Sequence, residues 1–477
     1  MRTVIAGFAA ICALACAAQP PSREEARRLL FAGRYEQAAK PYRALLAADP
    51  GWGDGYDGLV RALVAAKKAP EAYKVYADVL RRAPNTAGRQ TAAGRVLFRD
   101  GEFQKALDVF SAALQLDPAY ASAACGIARV AAVMSRFETA ARMAALAHRL
   151  APDDPEIILV WADTLKDHAE HLRALATALA VYDHDSEPAK RLAQQVAIEK
   201  AVGDRRLRVL ESPYQRYDLK LDRLRVPEGY FSPRVRLPER FTVSVQLNGQ
   251  PALHLVLDTH PRGILVTRKA AAKAGLYSLD GDQALVRQLR LGGLVFSNYP
   301  VTVAEHLDYP VPHDGFLGTD VFEQFLVTID FPKAVLTLEP FPGEASPPEV
   351  RVADAVRPLA QGFTEFFRPP KWMLLPVSLE GLAPRAFSVE SASPVSMIAD
   401  SRFSPGTVVP VGRGKQVDLA FGVLRLRKVR VRPATFQDES DAAGAEVSGF
   451  LGLPILMNLK VTIDYRNGAV AFSETLP

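Results

Sequence analysis

Three kinds of hydrophobic and polar patterning succeed one another along the chain. Arg2 is followed by an uncharged stretch, residues 3–18, rich in Ala, Ile, Leu and Phe. From there to about residue 200, small and aromatic positions recur with one period: Pro50, Pro84, Pro118 and Pro152 stand 34 residues apart, as do Ala38, Ala72, Ala106 and Ala140. Tyr42, Tyr76 and Phe110 keep that phase until Ala144 breaks the aromatic series, while Tyr35, Phe103 and Phe137 mark the start of a second helix in three of the four units. Such a period predicts paired helices. The small Ala lets the two helices approach closely, the aromatic fills the groove between them, and Pro ends the second. Beyond about Val226 the spacing changes to alternation punctuated by turn residues, starting with FTVSVQLNG at 241–249, which predicts β-hairpins.

The 34-residue columns resemble the tetratricopeptide repeat. Four units run from about Gln19 to Pro152, and Ala174 keeps the phase for a worn fifth that ends near residue 200 as a capping helix. The resemblance implies a right-handed superhelix whose concave surface binds a peptide or partner protein, and it implies no chemistry. A spacer or self-association surface is the bland alternative. Cys125, in the small-residue helix ASAACG, reads as a packed core thiol.

Length and charge narrow the class. At roughly 150 residues per domain, 477 residues suggest about three domains. Apolar residues at 49% and charged residues at 23% exclude wholesale disorder and a multi-span membrane protein. A net charge of +5 does not point to nucleic acid. The uncharged N-terminal stretch has the features of an export signal with small residues at its end, and it is short for a spanning helix. Cleavage after Ala15 or Ala17 would suit a small-residue peptidase site. Ala13-Leu14-Ala15-Cys16 also resembles a lipobox, with Ala13 where Leu is usual, making Cys16 a candidate for lipidation. After removal of the signal the folded part keeps Cys125 alone, so no intrachain disulfide framework is expected.

The β half is one motif written twice. GFLG at 315–318 recurs at 449–452, and VTIDF at 327–331 recurs as VTIDY at 461–465, both displaced by 134 residues. Upstream, LVLDTH at 255–260 matches FSVESA at 387–392, with Glu390 on Asp258. An apolar strand ending in Asp-Thr, then an apolar pair and Gly, then Val-Thr-Ile-Asp, resembles the aspartic-protease family. More narrowly it is similar to bacterial retropepsin-like proteins in which repeats precede two lobes. The resemblance implies that each lobe supplies an Asp-Thr-Gly loop and that the two Asp meet across the lobes. Like charges so close share one proton, so that one carboxylate activates water and the other polarises the peptide carbonyl. The Thr hydroxyls tie the loops together, and Gly permits close backbone approach.

Carried over by position, the first loop keeps Asp258 and Thr259 but has His260 for Gly, followed by Pro261 and Arg262. The second has Glu390 for Asp, Ser391 for Thr and Ala392 for Gly. Ser391 retains a hydroxyl. Glu390 is one methylene longer, displacing its carboxylate by about 1 Å, a misplacement that can cost on the order of 100-fold in rate. His260 adds bulk and, when protonated, would favour ionised Asp258, unless it points outward along the turn. Gly315, Gly318, Gly449 and Gly452 are expected at close backbone crossings, and Asp330 and Asp464 as structural residues of the twin strands.

Other constellations are weaker. His168-Ala-Glu-His171 lacks zinc-protease spacing, and no nucleophile elbow, phosphate loop or Cys-x-x-Cys occurs, so neither metal nor cofactor is expected. The basic run RLRKVRVR at 425–432 reads first as a charged sheet edge and second as an anionic-ligand surface. Lobe one has the uncharged FSNYPVTV at 296–303 there, so the fold does not demand the basicity.

The sequence therefore predicts an exported envelope protein, periplasmic or lipid-anchored. Its parts are a signal (1–18), an α-solenoid of helix-turn-helix repeats (19–200), a linker (201–225) and two lobes of a bilobal all-β aspartic-protease-like fold (226–345 and 346–477). Pseudo-twofold packing of the lobes makes a dimer unnecessary for forming the cleft. Two functions follow: a binding protein holding a peptide or protein ligand in the repeat groove or inter-lobe cleft without cutting it, or an aspartic endopeptidase using Asp258 with Glu390.

Overall fold

The computed structural model describes residues 21–82, 85–224, 240–260, 263–280, 282–305, 313–351, 353–355, 359–370, 372–399 and 415–474. The N-terminal stretch with Cys16, and Pro84, Pro261 and Arg262, lie outside them.

Five successive helix pairs form the N-terminal half: Arg23–Phe31 with Tyr35–Ala48, Gly53–Ala65 with Ala69–Arg82, Ala87–Arg99 with Phe103–Leu116, Ala121–Val133 with Phe137–Leu150, and Pro155–Ala162 with His168–Val181. Glu187–Val202 follows as a single helix. The small-residue column is buried throughout, at Ala38, Ala72, Ala106 and Ala140. The aromatic column packs on glycines of the neighbouring first helices. A Cβ at Gly58 would stand 2.3 Å from the Tyr42 ring, and one at Gly94 or Gly126 would stand 2.6 or 2.5 Å from Phe110. Aromatic and glycine thus form one interlock, and neither could enlarge without displacing the other. Polar side chains start the later helices: Asp154, Asp167 and Ser186 accept backbone N–H bonds from Glu156, Glu170 and Ala189.

The array meets itself. Arg27 pairs with Asp153 at 2.8 Å, and Arg34 grips Asp183 with two guanidinium nitrogens at 2.9 and 2.7 Å. The Asp183 N–H donates to the Ala32 carbonyl at 3.0 Å. Between these ends, charges connect first helices of the second to fifth units to one another. Arg61 reaches Asp154 at 2.5 Å and Glu156 at 2.9 Å, Arg95 joins Asp57 at 2.6 Å to Glu156 at 2.9 Å, and Arg129 adds a third guanidinium to Glu156 at 3.0 Å. Burial alone would raise the Glu156 carboxyl, but Arg95, Arg61 and Arg129 hold it well below the usual carboxylate range. The Cys125 thiol is buried and pushed up to about 12, first by burial and then by nearby Glu156, which leaves it unreactive.

The β half is two barrels and a shared sheet. In lobe one, Arg240–Leu247, Leu253–Asp258, Gly315–Gly318, Ile264–Thr267, Leu294–Ala304 and Gln283–Leu291 close a six-stranded ring. In lobe two, Leu374–Leu379, Arg385–Glu390, Gly449–Gly452, Met397–Ala399, Leu424–Ala434 and Lys415–Phe421 repeat it in the same order. A six-stranded sheet joins the lobes, and at its centre the duplicated Val-Thr-Ile-Asp strands pair antiparallel with each other, Thr328 opposite Thr462. Their hydroxyls are 3.1 Å apart, which marks the pseudo-twofold axis. Asp330 and Asp464 each accept a backbone N–H three residues on, from Lys333 and Asn467, as structural turn residues. The stretch expected as a linker is woven into the β half: Val209–Leu210 pairs with lobe one, and Tyr217–Lys220 edges the shared sheet.

The third and fourth repeats dock on the β half. The Arg99 carbonyl accepts from the Glu446 N–H at 2.7 Å, its guanidinium pairs with Asp441 at 2.7 Å, the Arg368 N–H donates to the Val133 carbonyl at 2.8 Å, and the Phe103 and Phe367 rings pack 4.7 Å apart.

Two outcomes test this packing. Phe110→Ala should destabilise the repeat array by about 3–5 kcal/mol, read as an earlier loss of helical circular dichroism on heating. Glu156→Gln takes from Arg129 its carboxylate and from Arg61 and Arg95 their second one, and should cost on the order of 3 kcal/mol at pH 7. A carboxyl depressed on folding adds stability above its unfolded value near pH 4.3 and loses it as pH falls toward the folded value. The gap between variant and wild type in urea melts should therefore narrow from pH 7 to pH 3.5.

Candidate functional site

Each site loop leaves the C-terminal end of a strand that lies parallel to a Gly-Phe-Leu-Gly strand, with Asp258 opposite Gly318 and Glu390 opposite Gly452. The glycines let the strands cross closely. A Cβ at Gly315 would stand 2.0 Å from the Leu265 carbonyl oxygen, and one at Gly449 would stand 2.2 Å from the Phe387 ring. Fixed this way, the two loops meet tip to tip.

A reciprocal set of hydrogen bonds joins the tips. The Thr259 N–H donates to Ser391 Oγ and the Ser391 N–H to Thr259 Oγ1, both at 2.9 Å. Thr259 Oγ1 then donates to the Val389 carbonyl at 2.8 Å, and Ser391 Oγ to the Leu257 carbonyl at 3.1 Å. Four bonds related by the pseudo-twofold thus cross between lobes that share little local sequence. Serine suffices because only the hydroxyl takes part.

The carboxylates sit on either side of this clasp. Asp258 is fully buried, and its Oδ1 accepts the His260 N–H at 3.1 Å and, from the other lobe, the Ala392 N–H at 3.3 Å. Glu390 is 4% exposed, and its Oε1 accepts the Ser388 hydroxyl at 2.8 Å. His260, expected as bulk beside Asp258 or as an outward turn residue, instead crosses to the second loop: its Nδ1 lies 2.9 Å from Glu390 Oε1 and 3.4 Å from Ser388 Oγ. The edge-on Trp372 ring, 4.5 Å away, walls the imidazole in. The two largest departures from the loop pattern are therefore partners. The residue in each Gly position reaches the carboxylate of the opposite lobe, Ala392 through its backbone and His260 through its ring.

Several supporting residues carried no signal in the sequence. Thr319 Oγ1 donates to the Thr259 carbonyl at 3.3 Å and lies 2.7 Å from the Tyr465 hydroxyl, so the second lobe's Val-Thr-Ile-Asp-Tyr strand braces the first loop. The Asp320 carboxylate accepts the Gly263 N–H at 3.0 Å just beyond the loop, and burial raises it above the usual carboxylate range. Ser388 stood inside the matched FSVESA segment, two residues before Glu390 and so on the same strand face; Trp372 and Thr319 lay outside every motif. Elsewhere, His171 Nδ1 contacts the Ala162 carbonyl at 2.8 Å while His168 faces Glu199 at 3.6 Å. Among the described residues no group of three His, Cys, Asp or Glu side chains could hold a metal.

The centre as built can clasp two lobes and bury two carboxylates, one of them engaged by an imidazole and a hydroxyl. No family model matches the chain. The cellulose synthase 2 operon protein C of Komagataeibacter xylinus is 32% identical over 177 residues, which is 36% of this chain and 13% of that protein. Among solved structures, a thermophilic TPR protein of Thermus thermophilus is 21% identical over 37% of this chain and 96% of its own, with a TM-score of 0.29. The aspartic proteinase of Irpex lacteus is 11% identical over 55% of this chain and 97% of its own, with a TM-score of 0.34. By its own element order and strand pairing, the chain is a tetratricopeptide-type helical array followed by a bilobal aspartic-protease-like module.

Proposed function

We propose that this is an exported peptide- or protein-binding protein whose protease-like centre holds its ligand without cutting it. One observation carries the reading: His260 Nδ1 lies 2.9 Å from Glu390 Oε1. An aspartic dyad works because its second carboxyl can hold a shared proton and place it on the substrate. Here one oxygen of that carboxyl is taken up by an imidazole nitrogen at 2.9 Å and by the Ser388 hydroxyl at 2.8 Å. Solvent access argues the same way, since Asp258 and Thr259 are fully buried and Trp372 closes over His260. The clasp that remains holds the two lobes in the arrangement for which the family resemblance implies a groove suited to an extended chain.

The second reading, an endopeptidase using Asp258 with Glu390, draws on the intact clasp and on Asp258 receiving N–H donors from both loops. The export reading rests on Arg2 and the uncharged stretch after it, with Cys16 as the candidate lipidation site. Similarity to part of a cellulose synthase operon protein supports an envelope setting.

Incubation of the mature protein and Asp258→Asn with a mixed peptide library from pH 3 to 7 separates the readings. The binding protein should yield no cuts in either form and should bind the same peptides equally in both; cuts that vanish in the variant would establish the protease. His260→Gly combined with Glu390→Asp removes the imidazole and shortens the second carboxyl, and it should produce weak cleavage abolished by further Asp258→Asn. Fractionation of cells should place wild type in the envelope, and Cys16→Ser should release it only if Cys16 is the anchor.

A further inference from the structure

The duplication lets one lobe report what the other is built to receive. The strand Leu424–Ala434 of lobe two is the counterpart of Leu294–Ala304 in lobe one. Each follows a tight turn, pairs antiparallel with the strand before it, and runs on parallel to the strand after the site loop. Both even carry a left-handed residue at the same point, Asn298 at φ 52° and Lys428 at φ 52°.

In lobe one the outer edge of this strand is occupied. Val209 and Leu210 pair antiparallel with Ser297 and Phe296. The Arg208 N–H donates to the Asn298 carbonyl at 3.0 Å and the Glu211 N–H to the Val295 carbonyl at 2.9 Å, while Ser212 Oγ accepts the Val295 N–H at 3.1 Å. The Glu211 carboxylate lies over this edge, accepting from the Ser297 hydroxyl, and Leu210 turns inward against the core.

In lobe two no strand among the described residues lies on the corresponding edge, at 425–428. The side chains there have changed in character. Arg425, Arg427, Lys428, Arg430 and Arg432 are all exposed, and among the described residues none is paired with a carboxylate. Leu424 and Leu426 are half-buried beside them, and Val423 at the turn is 65% exposed. By register, Arg427 stands where Ser297 meets Glu211, and Leu426 where Phe296 meets Leu210.

We propose that this edge docks an extended segment of a partner protein in which acidic and apolar residues alternate, added to the lobe-two barrel as 209–210 is added to lobe one. The acidic side chains face Arg425 and Arg427, and the apolar one between them covers Leu426. A second copy of the chain does not suit the edge, because its own strand would bring five more cations against these five. The site lies on the barrel's outer strand and is separate from the Asp258 centre. If the cations serve solely to keep other strands away, no segment will bind there.

The test uses the full-length mature protein and a fluorescein-labelled probe, Glu-Val-Glu-Leu-Glu-Val-Glu-Ser, read by anisotropy. Saturable binding is expected, weakened roughly tenfold or more by Arg425→Glu with Arg427→Glu, both at exposed positions where folding can be verified by circular dichroism. Methylating alternate backbone amides of the probe should abolish binding by removing the ladder donors. Absence of saturable binding, equal binding of the methylated probe, or indifference to the double variant would each overturn the proposal. So would sedimentation showing a wild-type dimer that the double variant dissolves, since a second copy would then hold the edge.

Discussion

Everything in the β half is arranged around the exchange of hydrogen bonds between Thr259 and Ser391. Two loops that meet head-on bury their backbone N–H and C=O groups where neither a helix nor a sheet ladder can reach them, and such groups must find partners. A hydroxyl on each tip solves this for both sides at once, donating to a carbonyl across the axis while accepting an N–H from that same opposite loop. The requirement is for a hydroxyl and nothing larger. The axis it defines passes on between Thr328 and Thr462, where the duplicated strands pair, so clasp and sheet reinforce one geometry.

That clasp does not use the carboxylates, so the lobes keep their packing whichever acids stand at their junction. The carboxylates lie beside the bonds that hold the lobes, and the Gly positions face the opposite loop. A longer acid in one lobe and an imidazole in the other fill the same small volume and meet at 2.9 Å. Glutamate alone in that volume would have the Ser388 hydroxyl as its partner, and a histidine alone would be a buried ring in want of one. Together they satisfy each other, with Ser388 and Trp372 completing the enclosure. The same pairing ties the two loops to each other beside the clasp.

The helical half shows a related economy. Its aromatic and glycine columns interlock by shape alone, and they set the repeat. The charges tie distant units together: Arg61, Arg95 and Arg129 converge on Glu156, and the first pair of helices reaches the last through Arg27 and Arg34. The array meets the β half through Arg99 and Phe103.

The sequence by itself determined the helical repeat, the duplication of the β lobes and the residues at the two loop tips, because those features are periodic and each copy can be read against the other. It also placed Asp330 and Asp464 outside the chemistry, since both copies carry them alike. Tertiary structure alone decided where the aperiodic residues point. His260 could have faced Asp258 or solvent, and its reach to Glu390 depends on the register of two strands 132 residues apart in sequence. Residues 209–224 read as a connection and became strands because two sheets left edges open to them. Among the charges of the helical array, Arg27, Arg61, Arg95 and Arg129 keep the 34-residue period, but their carboxylate partners Asp57, Asp153, Asp154 and Glu156 do not. Long-range pairing is invisible in a single sequence because each partner's local pattern suits a solvated surface as well as a buried bridge, and the distance between partners is set by the packing of everything in between.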